Sequence, residues 1–183
     1  MSEPHHSPDP GIALLAIYDR ALPQVYGYLV TRVRDANLAE DLTAETFLAA
    51  AESLDKGKVP DLTVAWLITV ARNKMVDHWR RVAREARRLQ LVHDSDEEVD
   101  DTLGADLDAA FERARARDVL DQLGPHHRSA LTLRYLDGLS VPECADHLGR
   151  TVHATEALLV RARNAFRARY QDMCDEEGES DGD

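Results

Sequence analysis

Apolar residues recur along this chain at spacings of three and four, with no sustained two-residue alternation, so the chain reads as helices throughout. Asp9-Pro10 gives a helix start, a capping residue followed by proline in the first turn. From there Leu14, Leu15, Tyr18, Leu22, Val25, Tyr26, Leu29, Val30 and Val33 draw one apolar stripe, which Pro23 is expected to kink or split. Asn37 and Glu40 predict the start of a second helix that partly buries Leu42, Phe47, Ala50 and Leu54 and exposes an acidic side. After a loop marked by Gly57 and Pro60, Thr63 caps a third helix with Val64, Leu67, Ile68, Ala71, Met75, Trp79 and Val82 on one face.

The pattern resumes near Leu107 and runs through Phe111 and Val119 to Leu123, where Gly124-Pro125 breaks it. Pro125 opens a helix carrying Ala130, Leu131, Leu133, Tyr135 and Leu136, closed by Gly138. Ser140 and Glu143 form a capping box, and Val141, Cys144, Ala145 and Leu148 make the stripe of a short helix ended by Gly149. Thr151 caps a further helix with Val152, Thr155, Leu159, Ala162 and Phe166 inward and His153, Ala157, Val160, Arg161 and Asn164 outward. A short helix, a glycine turn and a longer helix are the helix-turn-helix arrangement. Its outer face lacks the acid–base ladder of a merely solvated helix.

Composition supports an all-α chain, since aromatics are only 5% of its 183 residues. No apolar run approaches 18 residues and the start carries no secretory signal, which predicts a cytoplasmic protein without membrane insertion. Cys144 and Cys174 fit a reducing compartment. His5 and His6 lack a third ligand, and no P-loop, G-x-S-x-G, H-E-x-x-H or metal-spaced Cys/His cluster occurs; neither an enzyme nor a cofactor is expected.

The net charge of −12 argues against a nucleic-acid partner until its distribution is read. Residues 93–108 hold eight acids and residues 171–183 seven, without one Lys or Arg in either stretch; without those fifteen charges the remainder carries +3. The third helix has a polar side of Arg72, Asn73, Lys74, Asp77, Arg80, Arg81 and Arg84, with Trp66, His78 and Trp79 nearby. Such a face suits a nucleic-acid backbone and unstacked bases.

Three motifs, A-E-D-L-T-A-E-T-F, then A-W-L-I-T-V-A-R-N-K-M-V-D-H-W-R-R, then the helix-turn-helix, stand in this order over roughly residues 10–88 and 112–170. Together they resemble the extracytoplasmic-function sigma factors of bacterial RNA polymerase. The resemblance implies two small helical domains joined by an acidic flexible linker: a disordered start at 1–8, a region-2 domain at 9–90, the linker at 91–111, a region-4 domain at 112–170, and an acidic disordered tail at 171–183. Glu40, Asp41, Leu42, Glu45 and Phe47 fall on the family's polymerase-binding helix. Asn73, Lys74, Asp77, Arg80 and Arg81 fall on the helix that holds the melted promoter −10 element, and the 53–63 loop on the segment that captures a flipped base. Residues 141–160 correspond to the helix-turn-helix reading the −35 element, with Arg150, Thr151, His153, Glu156, Ala157 and Arg161 as its candidate contacts. The linker's acids suit a polyanion mimic in polymerase channels.

Core RNA polymerase and promoter DNA are the implied partners, an anti-sigma protein a candidate third, and the free protein is expected to be monomeric. The chain departs from the family pattern at Ala44, where Gln is common, and at Ala154–Leu158, which replaces a Thr-Val-Lys-Ser-Arg type of sequence. The alternative reading is a helix-turn-helix regulator that dimerises through its N-terminal helices, which would not require the basic helix near residues 66–81.

Overall fold

The computed structural model describes residues 10–57, 59, 62–88 and 109–180, which are helical and contain no strand among them. The sequence-expected starts at 1–8 and Asp9, the acidic stretch 93–108 and Leu107 lie outside the described residues. The chain divides into two compact units, Met1–His78 and Trp79–Asp183.

The first unit is built on α1 (Pro10–Val33), α2 (Ala36–Asp55) and the start of α3 (Val64–Arg88). α1 is neither split nor ended at Pro23. The ring sacrifices one backbone hydrogen bond, and burial of Ala21, Val25, Leu29 and Val33 on both sides of it carries the helix through. The outer part of the expected stripe is not covered: Leu15 is 72% exposed and Tyr18 also reaches solvent. Arg34 takes a left-handed φ of 54° and turns the chain into α2 within two residues, setting α1 and α2 against each other as a hairpin. The cap of α2 is Asp35 rather than Asn37; its Oδ1 accepts from the Leu38 amide at 3.1 Å. α2 buries Ala39, Leu42, Thr43, Thr46, Phe47 and Ala50. The two threonine hydroxyls each donate to the carbonyl four residues back at 2.7 Å, so their burial leaves no donor unpaired. Thr63 caps α3 as expected, its Oγ1 accepting from Trp66 N at 3.2 Å. Leu67, Ala71, Met75 and Val76 complete the core of this unit.

Further along α3, Val82 is exposed and Ala83 takes the buried position in its place. A 3.6-residue period walks the stripe by one residue over this length.

The second unit contains α4 (Ala109–Gln122), α5 (Pro125–Leu131), a π-helical turn Thr132–Leu136, α6 (Val141–Leu148) and α7 (Val152–Ser180). Val119, Leu120, Leu123, Ala130, Leu131, Leu133, Cys144, Ala145, Leu148, Leu158, Leu159 and Ala162 fill its core. The wider π turn rotates Tyr135 and Leu136 outward, so these two leave the stripe expected of them. α7 runs on to Ser180, so residues 171–180, expected as a disordered tail, carry helical backbone. No proline interrupts that stretch, and its Gln, Met and Glu residues are good helix formers.

Candidate polymerase and promoter interfaces

Three helix faces carry the candidate residues. On α2, Asp41, Ala44, Glu45, Leu48 and Glu52 share the outward side at spacings of three and four. Glu40 and Asp41 are exposed, and Glu45 is half-exposed with its Oε2 3.6 Å from Lys74 Nζ of α3. That pair joins one residue expected to touch polymerase with one expected to touch DNA. Leu42 is 1% exposed and Phe47 is also buried, its ring 5.0 Å from that of Tyr18. Leu42 is packed in the core beneath the face, whereas Phe47 also lines an open cavity between α1 and α2. Leu48, by contrast, is 66% exposed among the acids, although motif position does not single it out. A signal for it exists in the spacing: it lies seven residues after Asp41 and three after Glu45.

On α3, Asn73, Asp77, Arg81 and Arg84 follow one another along the exposed side, ending in Arg87 and Arg88. Lys74 and Arg80 are half-buried at its edge. Within the second unit, Arg80 Nη2 donates to the His147 carbonyl at 2.5 Å, near the end of α6. Trp79 is 4% exposed, so its indole is core and not a platform for a base; Trp66 is half-buried.

The third face belongs to α6 and α7. Ser140 Oγ accepts from Glu143 N at 3.5 Å while Glu143 Oε2 accepts from Ser140 N at 2.8 Å, the reciprocal capping box. Gly149 ends α6 with φ of 58°, a backbone that side chains resist. Thr151 Oγ1 accepts from Ala154 N at 3.2 Å, and this cap fixes where α7 begins. Val152 is exposed, whereas Thr155, Leu158, Leu159 and Ala162 are buried. His153, Glu156, Ala157 and Arg161 point outward together, and Arg150 is half-exposed ahead of them. His153 Nδ1 and Glu156 Oε2 lie 3.9 Å apart. This presentation suits a major groove: a fixed start, a buried inner face, and an outer face with donors, an acceptor and a small apolar residue.

Among the described residues, no group of three His, Cys, Asp or Glu side chains could hold a metal ion, and no helix is long and apolar enough to cross a membrane.

Comparison with known proteins matches two family models along the chain. Sigma-70 region 2 matches residues 17–85, and Sigma-70, region 4 matches residues 113–166. The ECF RNA polymerase sigma factor SigM of Bacillus subtilis is 30% identical over 161 residues, 84% of this chain and 93% of that protein. SigL of Mycobacterium tuberculosis is 30% identical over 161 residues, 86% of this chain and 89% of its own. BldN of Streptomyces coelicolor is 33% identical over 150 residues; the match takes in 80% of this chain and 56% of BldN. The sigma factor RpoE of Bartonella quintana, solved in complex with the anti-sigma factor NepR, shares the fold with a TM-score of 0.50 at 22% identity, covering 88% of this chain and 96% of that one. With two sigma-70 regions on two helical units and relatives matched over most of their length, this chain belongs to the ECF RNA polymerase sigma factors, DNA-binding regulators that work with core RNA polymerase in promoter-specific transcription.

Proposed function

We propose that the three faces divide the work of initiation. α2 docks on a basic surface of core polymerase through Glu40, Asp41, Glu45 and Phe47, with Leu42 holding the helix in place. α3 holds the melted −10 element through Asn73, Lys74, Asp77, Arg80 and Arg81. α6 and α7 read the −35 element through Arg150, Thr151, His153, Glu156, Ala157 and Arg161. The working domains are residues 9–90 and 112–170, and the acidic 91–111 segment tethers them. The protein supplies specificity in the cytoplasm and leaves the chemistry to polymerase; it has no catalytic step of its own. An anti-sigma protein is a fitting further partner, since the RpoE of similar fold was solved with one.

The observation that supports this reading is the acidic outward face of α2, exposed at Glu40, Asp41 and Glu52 and half-exposed at Glu45. An acidic helix seeks a basic partner, and a basic helix seeks phosphate. Reversing Asp41 and Glu45 together to Lys is expected to abolish co-purification with core polymerase while the circular dichroism spectrum keeps its helical form. Undiminished co-purification with intact helicity contradicts acidic docking.

A further inference from the structure

The second unit carries an open cavity of about 950 Å³, lined from α4, α5, the π-helical turn and α7. The π turn shapes it. A regular helix would keep Tyr135 and Leu136 on the apolar stripe, but the wider turn swings both outward to line the cavity, 58% and 42% exposed. Leaving two large side chains in water forgoes burial that would stabilise this unit, and π turns are frequent at functional sites.

The lining has an apolar part and a charged part. Leu120 and Leu131, both buried, form the floor. Phe166 and Tyr170 of α7 stack with ring centroids 6.0 Å apart and 21° between their planes, and Tyr135 adds a third aromatic ring. Arg117 of α4 and Arg163 and Arg167 of α7 line the same space, and no Asp or Glu does so among the described residues. In a chain of net charge −12 this is a local reversal of sign. A guanidinium fork matches phosphate oxygens, and an aromatic face stacks on a nucleobase of any identity. The volume falls within the roughly 300–1,000 Å³ of small-molecule sites, which are mostly apolar with a few placed polar groups.

We propose that this cavity binds a nucleoside polyphosphate, with the phosphates on Arg117, Arg163 and Arg167 and the base against Tyr135, Phe166 and Tyr170. A fatty acid would also find an apolar floor, but its single carboxylate would leave most of the arginines and the aromatic rings without a role. A polyphosphate on a flat base uses all of them. None of the residues assigned to polymerase or promoter lines the cavity, so the proposal goes beyond that division of work and can fail without it. The arginines come from two helices, so occupancy ties α4 to α7 and raises thermal stability.

The test is equilibrium dialysis of the full-length protein against ATP and GTP at physiological salt, with inorganic tripolyphosphate and oleate as comparison probes. Saturable binding of a single nucleotide per chain is expected, with a rise in the midpoint of thermal unfolding. Arg163→Ala with Arg167→Ala should weaken binding about tenfold or more. The control Arg169→Ala removes an exposed arginine of α7 that does not line the cavity, and it should bind as wild type. Tyr135→Ala should weaken binding about tenfold, while Tyr135→Phe, which keeps the ring face, should bind nearly as wild type. Tyr135 is exposed, so both variants are expected to keep the fold. Absence of saturable binding by either nucleotide overturns the proposal, as does oleate that binds where nucleotides do not. Tripolyphosphate that binds as tightly as ATP, with Arg169→Ala as damaging as the paired substitution, marks unspecific surface charge and overturns it equally. Polymerase and promoter binding by the same preparations stays intact in each of these cases if the three-face reading holds.

Discussion

α3 and α7 are both long helices with an outward polar face, and both are assigned to DNA, yet the faces have little in common. The α3 face runs through Asn73, Asp77, Arg81 and Arg84 to Arg87 and Arg88, and residues 60–90 carry seven bases against three acids. The exposed start of α7 offers His153, Glu156 and Ala157, with no Lys or Arg until Arg161. Charge density and base readout are separable tasks. A cationic face grips the phosphates of any strand, and its affinity falls steeply with salt. A sparsely charged, well-capped helix contributes little affinity of its own but can present acceptors and donors to base edges at a fixed register. The difference between the two helices therefore predicts different failures when each is altered.

The larger effect belongs to α3. Arg80→Ala with Arg81→Ala is expected to impair open-complex formation and to flatten its salt dependence by roughly 0.7–0.9 log unit for each phosphate the helix no longer neutralises. Because Arg80 also donates to the His147 carbonyl, thermal unfolding is followed in parallel. A salt slope equal to wild type would mark this face as ordinary solvated surface and remove one side of the comparison.

A smaller and more selective effect is expected at α7. Glu156 is exposed one turn into the helix, where a carboxylate repels phosphate but can accept from cytosine N4. Glu156→Gln keeps the size, adds a donor and removes the charge. Preference at one −35 base pair should relax by ~1–3 kcal/mol, while binding to unrelated DNA holds or rises. If Glu156 acts only on the helix dipole, the change costs ~0.3–1 kcal/mol of stability and base preference is unmoved. Selection from a −35 library at fixed salt separates the two outcomes.

The local signals are the legible part of this chain. Ser140 with Glu143, Gly149, Thr63 and Thr151 each act within four residues, and the structure shows each of them as the sequence implies. Where two capping residues stand close together, spacing alone misplaces the start, and Asp35 takes the role expected of Asn37. Stripes are legible in direction but not in extent. Leu15, Tyr18, Val82, Tyr135 and Leu136 continue a helical period yet stay partly or largely exposed, because coverage depends on where the neighbouring helix ends. The same limit affects the candidate sites. Motif position places Leu42 and Phe47 together among the contacts, and only packing shows that Leu42 is enclosed while Phe47 borders an open cavity. The Lys74–Glu45 pair and the cavity beside Phe47 join residues from different helices, so no spacing along the sequence announces them.

The most direct test of the division of labour is run-off transcription with purified core polymerase, using templates in which the −10 and −35 elements are altered separately. The account predicts discrete transcripts that require this protein. Changes in the −35 element should alter promoter preference through α7, and raised salt should reduce output less when Arg80 and Arg81 are replaced than in wild type. Transcripts that begin at the same positions without the protein, or that ignore both elements in its presence, would contradict it.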